Sequence, residues 1–570
     1  MIAALAPIVD FSAALAALAI AILGAAAALR RRCTSPAAAS DSRIIAWRTF
    51  AVAVIAYTVL LRLLYFGQLD LMPEEAYYWN YSRHLDIGYL DHPPMVAWLI
   101  RLGTAAFGAS AYGVRLGALL CGGIAAYFIY GLTRNLFGAR SALTALMLAQ
   151  ILPFFFLSGL LMTPDAPLTA SWAAALYFLE RALIAGRGSA WWRAGGCLGI
   201  GMLSKYTIAL LIPATLLFVL VDQPSRRWLR RAEPYTAAGL ALAIFSPVIL
   251  WNAQHEWASF AFQTTRRLAD QPRFSLHKLI AATLVLITPT GAAAIAGALG
   301  VRAPAGAERA RAATATDAPA DAAADSAAGA ATDCGRRRRF AQVYVLVPLA
   351  VFAAFSLAHE VKLDWTGETW IAALPAIAAA MLLPGEKSGS RLHAWIRALW
   401  PPTIVGLVLV YGAGLYYLAR GVPGIGYSRH MELLPVGWRE LGRQISDIRA
   451  TLRTKPGVEP LIVGMDRYAT ASELAFYMPD RAVSVGNTSS DYLFGGLGLM
   501  YARWFPADAQ TQRTLLLVAW NSHDISGSRI KSRAARLTPV QEGTLMRRGR
   551  FIRHYYYRVL YDYRPATRPR

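Results

Sequence analysis

Apolar runs of about 20 residues, the length a helix needs to cross a bilayer, recur at roughly 3–29, 47–68, 113–133, 141–161, 164–180, 191–204, 206–221, 235–251, 277–300, 340–357, 369–384 and 398–419. The pattern predicts an all-α polytopic membrane protein of about 12 transmembrane helices. After residue 420 the pattern changes. Trp438, Leu441, Ile445, Ile448 and Leu452 repeat at helical spacing, whereas 460–464, 514–520 and 551–560 have strand character. The predicted organisation is an N-terminal anchor helix and basic loop over 1–46, a membrane domain over 47–420, and a small α/β domain over 421–570. Segment 301–335 is rich in Ala with scattered Asp, Thr, Gly and Pro. Too few large apolar residues are present to offset the entropy of ordering, so 301–339 is predicted to be a disordered loop.

Composition narrows the class. Of 570 residues, 56% are hydrophobic and 16% charged, against about 25% charged in soluble domains. A soluble enzyme is excluded. Lys and Arg exceed Asp and Glu by 57 to 34, an excess that in a soluble chain would suggest nucleic acid. Here the arginines follow the spans. Arg43 and Arg48, Arg134 and Arg140, Arg181 to Arg193, Arg226 to Arg231, Arg336 to Arg339, and Lys387 to Arg397 occupy every second loop. The positive-inside rule places those loops, and 301–339 with them, in the cytoplasm. The opposite loops and everything after 420 then face outward, the arrangement of a bacterial inner-membrane protein with a periplasmic C-terminal domain. No nucleic-acid partner is implied. The stretch 3–29 is as long as a span and its Arg30-Arg31-Arg32 cluster follows the apolar run, so it is expected to stay as an anchor. Of the four cysteines, Cys33, Cys121, Cys197 and Cys334, none lies beyond residue 420. The outer domain is therefore expected to fold without disulfides.

Acidic groups collect in the outward loops: Glu74, Glu75, Asp86 and Asp91 in the first (70–112), Asp165 in the second, Glu256, Glu360, Asp364 and Glu368 later. Ionisable groups beside a membrane are costly and mark function, so an active site is expected on the outer face. Pro73 before Glu74 suits a helix start. Tyr77, Tyr78, Trp79 and Tyr81 read from composition as an interfacial aromatic belt. Asp165, between Pro164 and Pro167, fits an N-cap. Lys205 stands between two apolar runs with few acids near it in sequence. A phosphate or carboxylate partner is expected for it. No closely spaced histidine pair, P-loop or dinucleotide fingerprint is present, so no metal or other cofactor is assigned.

The strings Glu74-Glu75-Ala76-Tyr77-Tyr78-Trp79 and Gly88-Tyr89-Leu90-Asp91-His92-Pro93-Pro94-Met95 resemble the DEAYYW and GYxDHPPM signatures of bacterial GT-C glycosyltransferases. That group includes protein O-mannosyltransferases of the dolichyl-phosphate-mannose type and the lipid A aminoarabinose transferase. Thr163-Pro164-Asp165-Ala166-Pro167, Ser204-Lys205-Tyr206, Trp251-Asn252 with Trp257-Ala258-Ser259-Phe260 and Gln263, Lys362-Leu363-Asp364-Trp365-Thr366-Gly367, and Gly437-Trp438-Arg439-Glu440-Leu441 follow in the family order, across roughly 45–445. The resemblance implies a GT-C-like fold and a glycosyltransferase moving a hexosyl or pentosyl group from a polyprenyl-phosphate donor. The acceptor would be lipid A, a surface glycan or a protein, on the outer face. It makes Glu74 the general base, at a position where the family has Asp, with Glu75 in reserve and Asp165 as the second acidic site. Tyr77, Asp91, His92, Lys205, Tyr206, Arg266, Arg267 and Lys362 would serve the substrate and the donor phosphate. In the lipid A relatives a lysine stands where His92 does. A transporter or flippase of lipid-linked sugars would also need many spans and outward acids, but no inverted repeat is visible.

Overall fold

A computed structural model describes residues 18–25, 27, 36–264, 271–300, 320–382, 391–422, 425–427, 435–453 and 459–566. Among these residues six helices are individually long and apolar enough to cross a membrane, or seven if the bent pair 206–221 and 223–230 forms one span. They fall in α1 (Pro36–Tyr65), α4 (Ala111–Phe137), α10 (Ala232–Gln254), α12 (Leu276–Gly300), α13 (Ala320–Ser356) and α15 (Arg391–Arg420). Shorter elements lie between them: α2 (Pro73–Arg83), α3 (Met95–Phe107), α5 (Ala139–Ile151), α6 (Pro153–Ser158), α7 (Asp165–Leu183), α8 (Ala190–Met202), α9 (Leu211–Val221), α11 (Ala258–Gln263) and α14 (Leu374–Leu382).

The expected count of about 12 spans is therefore not reached by single long helices. The apolar run 141–161 shows why. Leu152 is extended and Pro153 opens a new helix at its first position, because a proline ring cannot follow a helical carbonyl ladder without breaking it. One predicted span becomes two short helices, the first buried against α1 and α14 and the second against α12 (Leu276–Gly300). Residues 320–339 are helical and run on into the apolar part of α13, where a disordered loop was expected. Alanine has the highest intrinsic helix propensity, so weak hydrophobicity did not prevent a helix there. Residues 301–319 lie outside the described residues, as do most of the predicted first span and Arg266 and Arg267.

Beyond the bundle come α16 (Trp438–Arg453), α17 (Ala469–Tyr477), α18 (Arg481–Val485), α19 (Tyr501–Trp504) and α20 (Ser528–Lys531). A six-stranded sheet is built from β1 (Leu461–Gly464), β2 (Thr488–Ser490), β3 (Leu515–Ala519), β4 (Ala534–Leu537), β5 (Gln541–Arg547) and β6 (Arg550–Tyr563). Its order is β2-β1-β3-β6-β4, with β5 also on β6. The first three strands are parallel, with Ile462 opposite Thr488 on one side and Leu516 on the other. The last three are antiparallel. The buried strands β1 and β3 are the unbroken apolar runs of the sequence, as strands covered on both faces must be.

Two large cores form. One fills the helical bundle. The other joins α2 and α3 and the N-terminal end of α4 to the sheet and helices after residue 436, so the C-terminal region shares its core with segment 70–112. Tyr77, Tyr78, Trp79 and Tyr81 are buried in that shared core, which corrects their reading as an interfacial belt. The Tyr77 ring meets those of Tyr468 and Tyr501, and the Trp79 ring stands edge-on to Phe476. Aromatic rings with this much area contribute more against another protein surface than at a wet interface.

Candidate active site

Pro73 occupies the first turn of α2 and leaves Glu74 and Glu75 in that turn, where the helix dipole favours negative charge. The two carboxylates then diverge. Glu75 is fully buried and saturated: it accepts from the backbone N–H groups of Met72 (3.0 Å) and Met162 (3.0 Å) and from the Arg115 guanidinium (2.6 and 2.9 Å). Arg115, on α4, also donates to the carbonyls of Phe66 (2.7 Å) and Asp70 (2.8 Å). This knot ties the segment leading into α2 to the turn at Met162 before α7. Sequence reading passed over Arg115, although an arginine inside an apolar run is itself a signal. Glu74 is partly exposed, and among the described residues its hydrogen bond comes from the Tyr468 hydroxyl, at 3.2 Å to Oε1. A carboxylate with free lone pairs can take a proton; one whose oxygens are filled by a guanidinium and two amides cannot do so cheaply.

Three residues beyond Met162, Asp165 opens α7. It makes no side-chain N-cap bond. Instead its Oδ1 accepts from Lys205 Nζ at 2.6 Å, and Thr163 Oγ1 donates to Oδ2 at 3.4 Å. Lys205 also donates to Asp364 Oδ2 at 2.9 Å. Its charge is thus met by acids 40 and 159 residues away in sequence, which local sequence could not reveal. Burial pushes the Asp364 carboxyl up, but the Lys205 ammonium outweighs it and holds the group at about 2. Burial opposes charge on Lys205 as well, and Asp165 and Asp364 overcome that and raise it. Glu368, fully buried beside the cluster, is pushed well above the usual carboxylate range by burial and then by Asp165.

The Asp91-His92-Pro93-Pro94 turn is fastened to α2. The Asp91 carboxylate is buried and accepts from the hydroxyls of Tyr77 (3.2 Å) and Tyr81. Burial raises it, and the two phenols oppose that shift. Gln263 donates its amide N–H to the Asp91 carbonyl. The His92 ring stands edge-on to Tyr78, and the N–H of Met95 donates to the Leu203 carbonyl at 2.9 Å. The Tyr206 and Ser259 hydroxyls pair at 2.9 Å, while Asn252 accepts from the N–H groups of Ser259 and Phe260. Motifs separated in sequence therefore converge. Glu74, Asp165, Asp91, Lys205 and Tyr206 stand on elements bonded to one another. Lys362 is exposed two residues before Asp364.

The family model described as dolichyl-phosphate-mannose-protein mannosyltransferase matches residues 91–251. A lipid A galacturonosyltransferase of Rhizobium johnstonii is 29% identical over 218 residues, 37% of this chain and 44% of that protein. An undecaprenyl phosphate-α-4-amino-4-deoxy-L-arabinose arabinosyl transferase of Pseudomonas aeruginosa is 30% identical over 182 residues, 30% of this chain and 31% of its own length. The matches thus span less than half the length of these curated relatives. Among solved structures, ArnT from Cupriavidus metallidurans bound to undecaprenyl phosphate superposes with a TM-score of 0.57 at 16% identity, covering 89% of this chain and 98% of that one. The apo form of ArnT gives 0.55. The resemblance carried by the motifs is borne out, and the fold is ArnT-like.

Proposed function

We propose that the protein is an integral-membrane glycosyltransferase that moves a sugar from a polyprenyl-phosphate donor to an envelope acceptor on the outer face of the inner membrane. The observation that carries this reading is the convergence of Glu74, Asp165–Lys205 and the Asp91-His92 turn on bonded outward elements. A glycosyl phosphate needs little acid assistance, because the phosphate leaves as a stable anion, whereas the acceptor must lose a proton as it attacks. In this scheme Glu74 takes the proton from the acceptor oxygen. That oxygen bonds to the anomeric carbon from the face opposite the phosphate, and the C–O bond to phosphate breaks with its electron pair leaving on the polyprenyl phosphate. Asp165, held in place by the Lys205 ammonium, orients the acceptor. Glu75 holds the loop in place. Tyr77 and Asp91 shape the donor side, with Tyr206, His92, Lys362, Arg266 and Arg267 around the phosphate. Lys205 acts there through Asp165, since its charge is already met.

The names of the relatives favour lipid A as acceptor and galacturonosyl or 4-amino-4-deoxy-L-arabinosyl as the group transferred. Purified protein in detergent, given undecaprenyl-phosphate-linked forms of each sugar and lipid A, is expected to yield glycosylated lipid A and free undecaprenyl phosphate. Failure to consume any such donor in the presence of acceptor would sink the transferase reading. Orientation has its own test. In a cysteine-free background, Asn521→Cys should react with a membrane-impermeant thiol reagent in intact spheroplasts, and Gly335→Cys should react only after permeabilisation. Both positions are exposed, so the reverse pattern would overturn the outward site.

A further inference from the structure

The parallel strands β2, β1 and β3 end together, and the chain leaves β1 toward β2 on one side while β3 continues to the other strands on the opposite side. Open α/β sheets bind ligands at such a switch point, outside the carboxyl ends of the strands. Here the turn that follows β1, 465–468, points at α2. Asp466 fixes it: its carboxylate accepts from the N–H groups of Tyr468 (3.1 Å) and Thr470 (3.1 Å) and from the Thr470 hydroxyl (2.5 Å). The Tyr468 ring lies on Tyr77, centroids 4.7 Å apart and tilted by 34°. Its hydroxyl donates to Glu74 Oε1 at 3.2 Å.

We infer that Tyr468 is a positioning residue for the reaction, aiming the Glu74 carboxylate at the acceptor, so that the C-terminal domain supplies part of the active centre. A glutamate has one more rotatable bond than the aspartate at this position in the family signature, and without a tether its carboxylate samples several rotamers. The phenol removes that freedom from one oxygen and leaves the other for the acceptor proton. The inference rests on the reading of Glu74 as base.

Tyr468→Phe keeps the ring on Tyr77 and deletes the hydroxyl. With undecaprenyl-phosphate aminoarabinose and lipid A as probes, kcat is expected to fall about tenfold, the range of one hydrogen bond to a charged group, with the KM for donor and the melting temperature unchanged. A merely structural tyrosine would move the melting temperature or both constants together. Residual turnover of Glu74→Gln should not fall further when Tyr468→Phe is added, because the tether then has no carboxylate to aim. A fully active Glu74→Gln would overturn the base assignment itself. An inactive Glu74→Gln beside a Tyr468→Phe that matches the parent would overturn only the role of Tyr468.

Discussion

The Glu75–Arg115 pair and the Lys205 cluster both set a cation against acid, and they differ in how completely the charges are met. In the first, one carboxylate and one guanidinium are sealed from solvent with their remaining bonds taken by backbone groups. In the second, Asp165, Asp364 and Glu368 surround a single ammonium, and the side chain of Asp364 is 42% exposed. Three carboxyl groups share one ammonium there, and Asp364 keeps an opening to solvent. A saturated buried pair holds architecture; an under-compensated, reachable one is available to a substrate.

Four substitutions would break or sharpen that contrast. The largest effect is expected at Glu74, the carboxylate beside the sealed pair that is not part of it. Glu74→Gln should lose about 10²–10⁴-fold in turnover, the usual span for a general base, with normal insertion and melting. Near-parental turnover would refute it. Arg115→Met should do the opposite: it leaves Glu75 buried and unpaired, a cost of about 3–5 kcal/mol, read as loss of folded yield and a lower melting temperature. Parental melting would show that the knot holds nothing.

A subtler effect is expected from Lys205→Met. The Asp364 carboxyl is held at about 2 in the folded protein, below its ordinary value near 4. The stability from this pair is therefore fully present above about pH 4 and is lost as pH falls through about 2. The melting temperature of the parent should drop across that window, and the part due to Asp364 should vanish in Lys205→Met. Identical acid limbs would overturn the pairing.

The smallest change belongs to Glu473, buried on α17, with neither carboxyl oxygen hydrogen-bonded among the described residues. Burial, followed by the charges of Asp70 and Glu75, pushes it well above the usual range. A raised acid favours the fold below its unfolded value and costs stability as pH rises. Glu473→Gln should accordingly melt within about 1 kcal/mol of the parent at pH 5, the scale of one hydrogen bond, and gain on it at pH 8. A large loss at both would mean that the group is ionised.

Much of the fold could be read from local pattern. The six long helices follow apolar runs, and β1, β3 and β6 follow the strand-like segments after 460. What escaped was decided by partners remote in sequence. Nothing near Lys205 announces Asp364, and nothing near Glu75 announces Arg115, because ion pairs across a bundle carry no periodicity. The aromatic string of α2 was misread for the same reason. A run of tyrosines and tryptophan has one composition whether lipid headgroups or a protein domain covers it. Motif resemblance pointed to Glu74, Asp165 and the Asp91-His92 turn, but could not show that a tyrosine 394 residues beyond Glu74 would reach it.

That separation sets a schedule for biogenesis. A ribosome adding roughly 5–20 residues per second needs about 20–80 s to travel from Glu74 to Tyr468. Throughout that interval α2 has been made, and the faces of Tyr77 and Trp79 that meet Tyr468, Tyr501 and Phe476 are uncovered. The helix is a waiting surface, finished only when the last quarter of the chain has been made. A nonsense codon between 421 and 460 would leave the helical bundle complete and that aromatic face bare, a product fit for quality control and not for the proposed reaction.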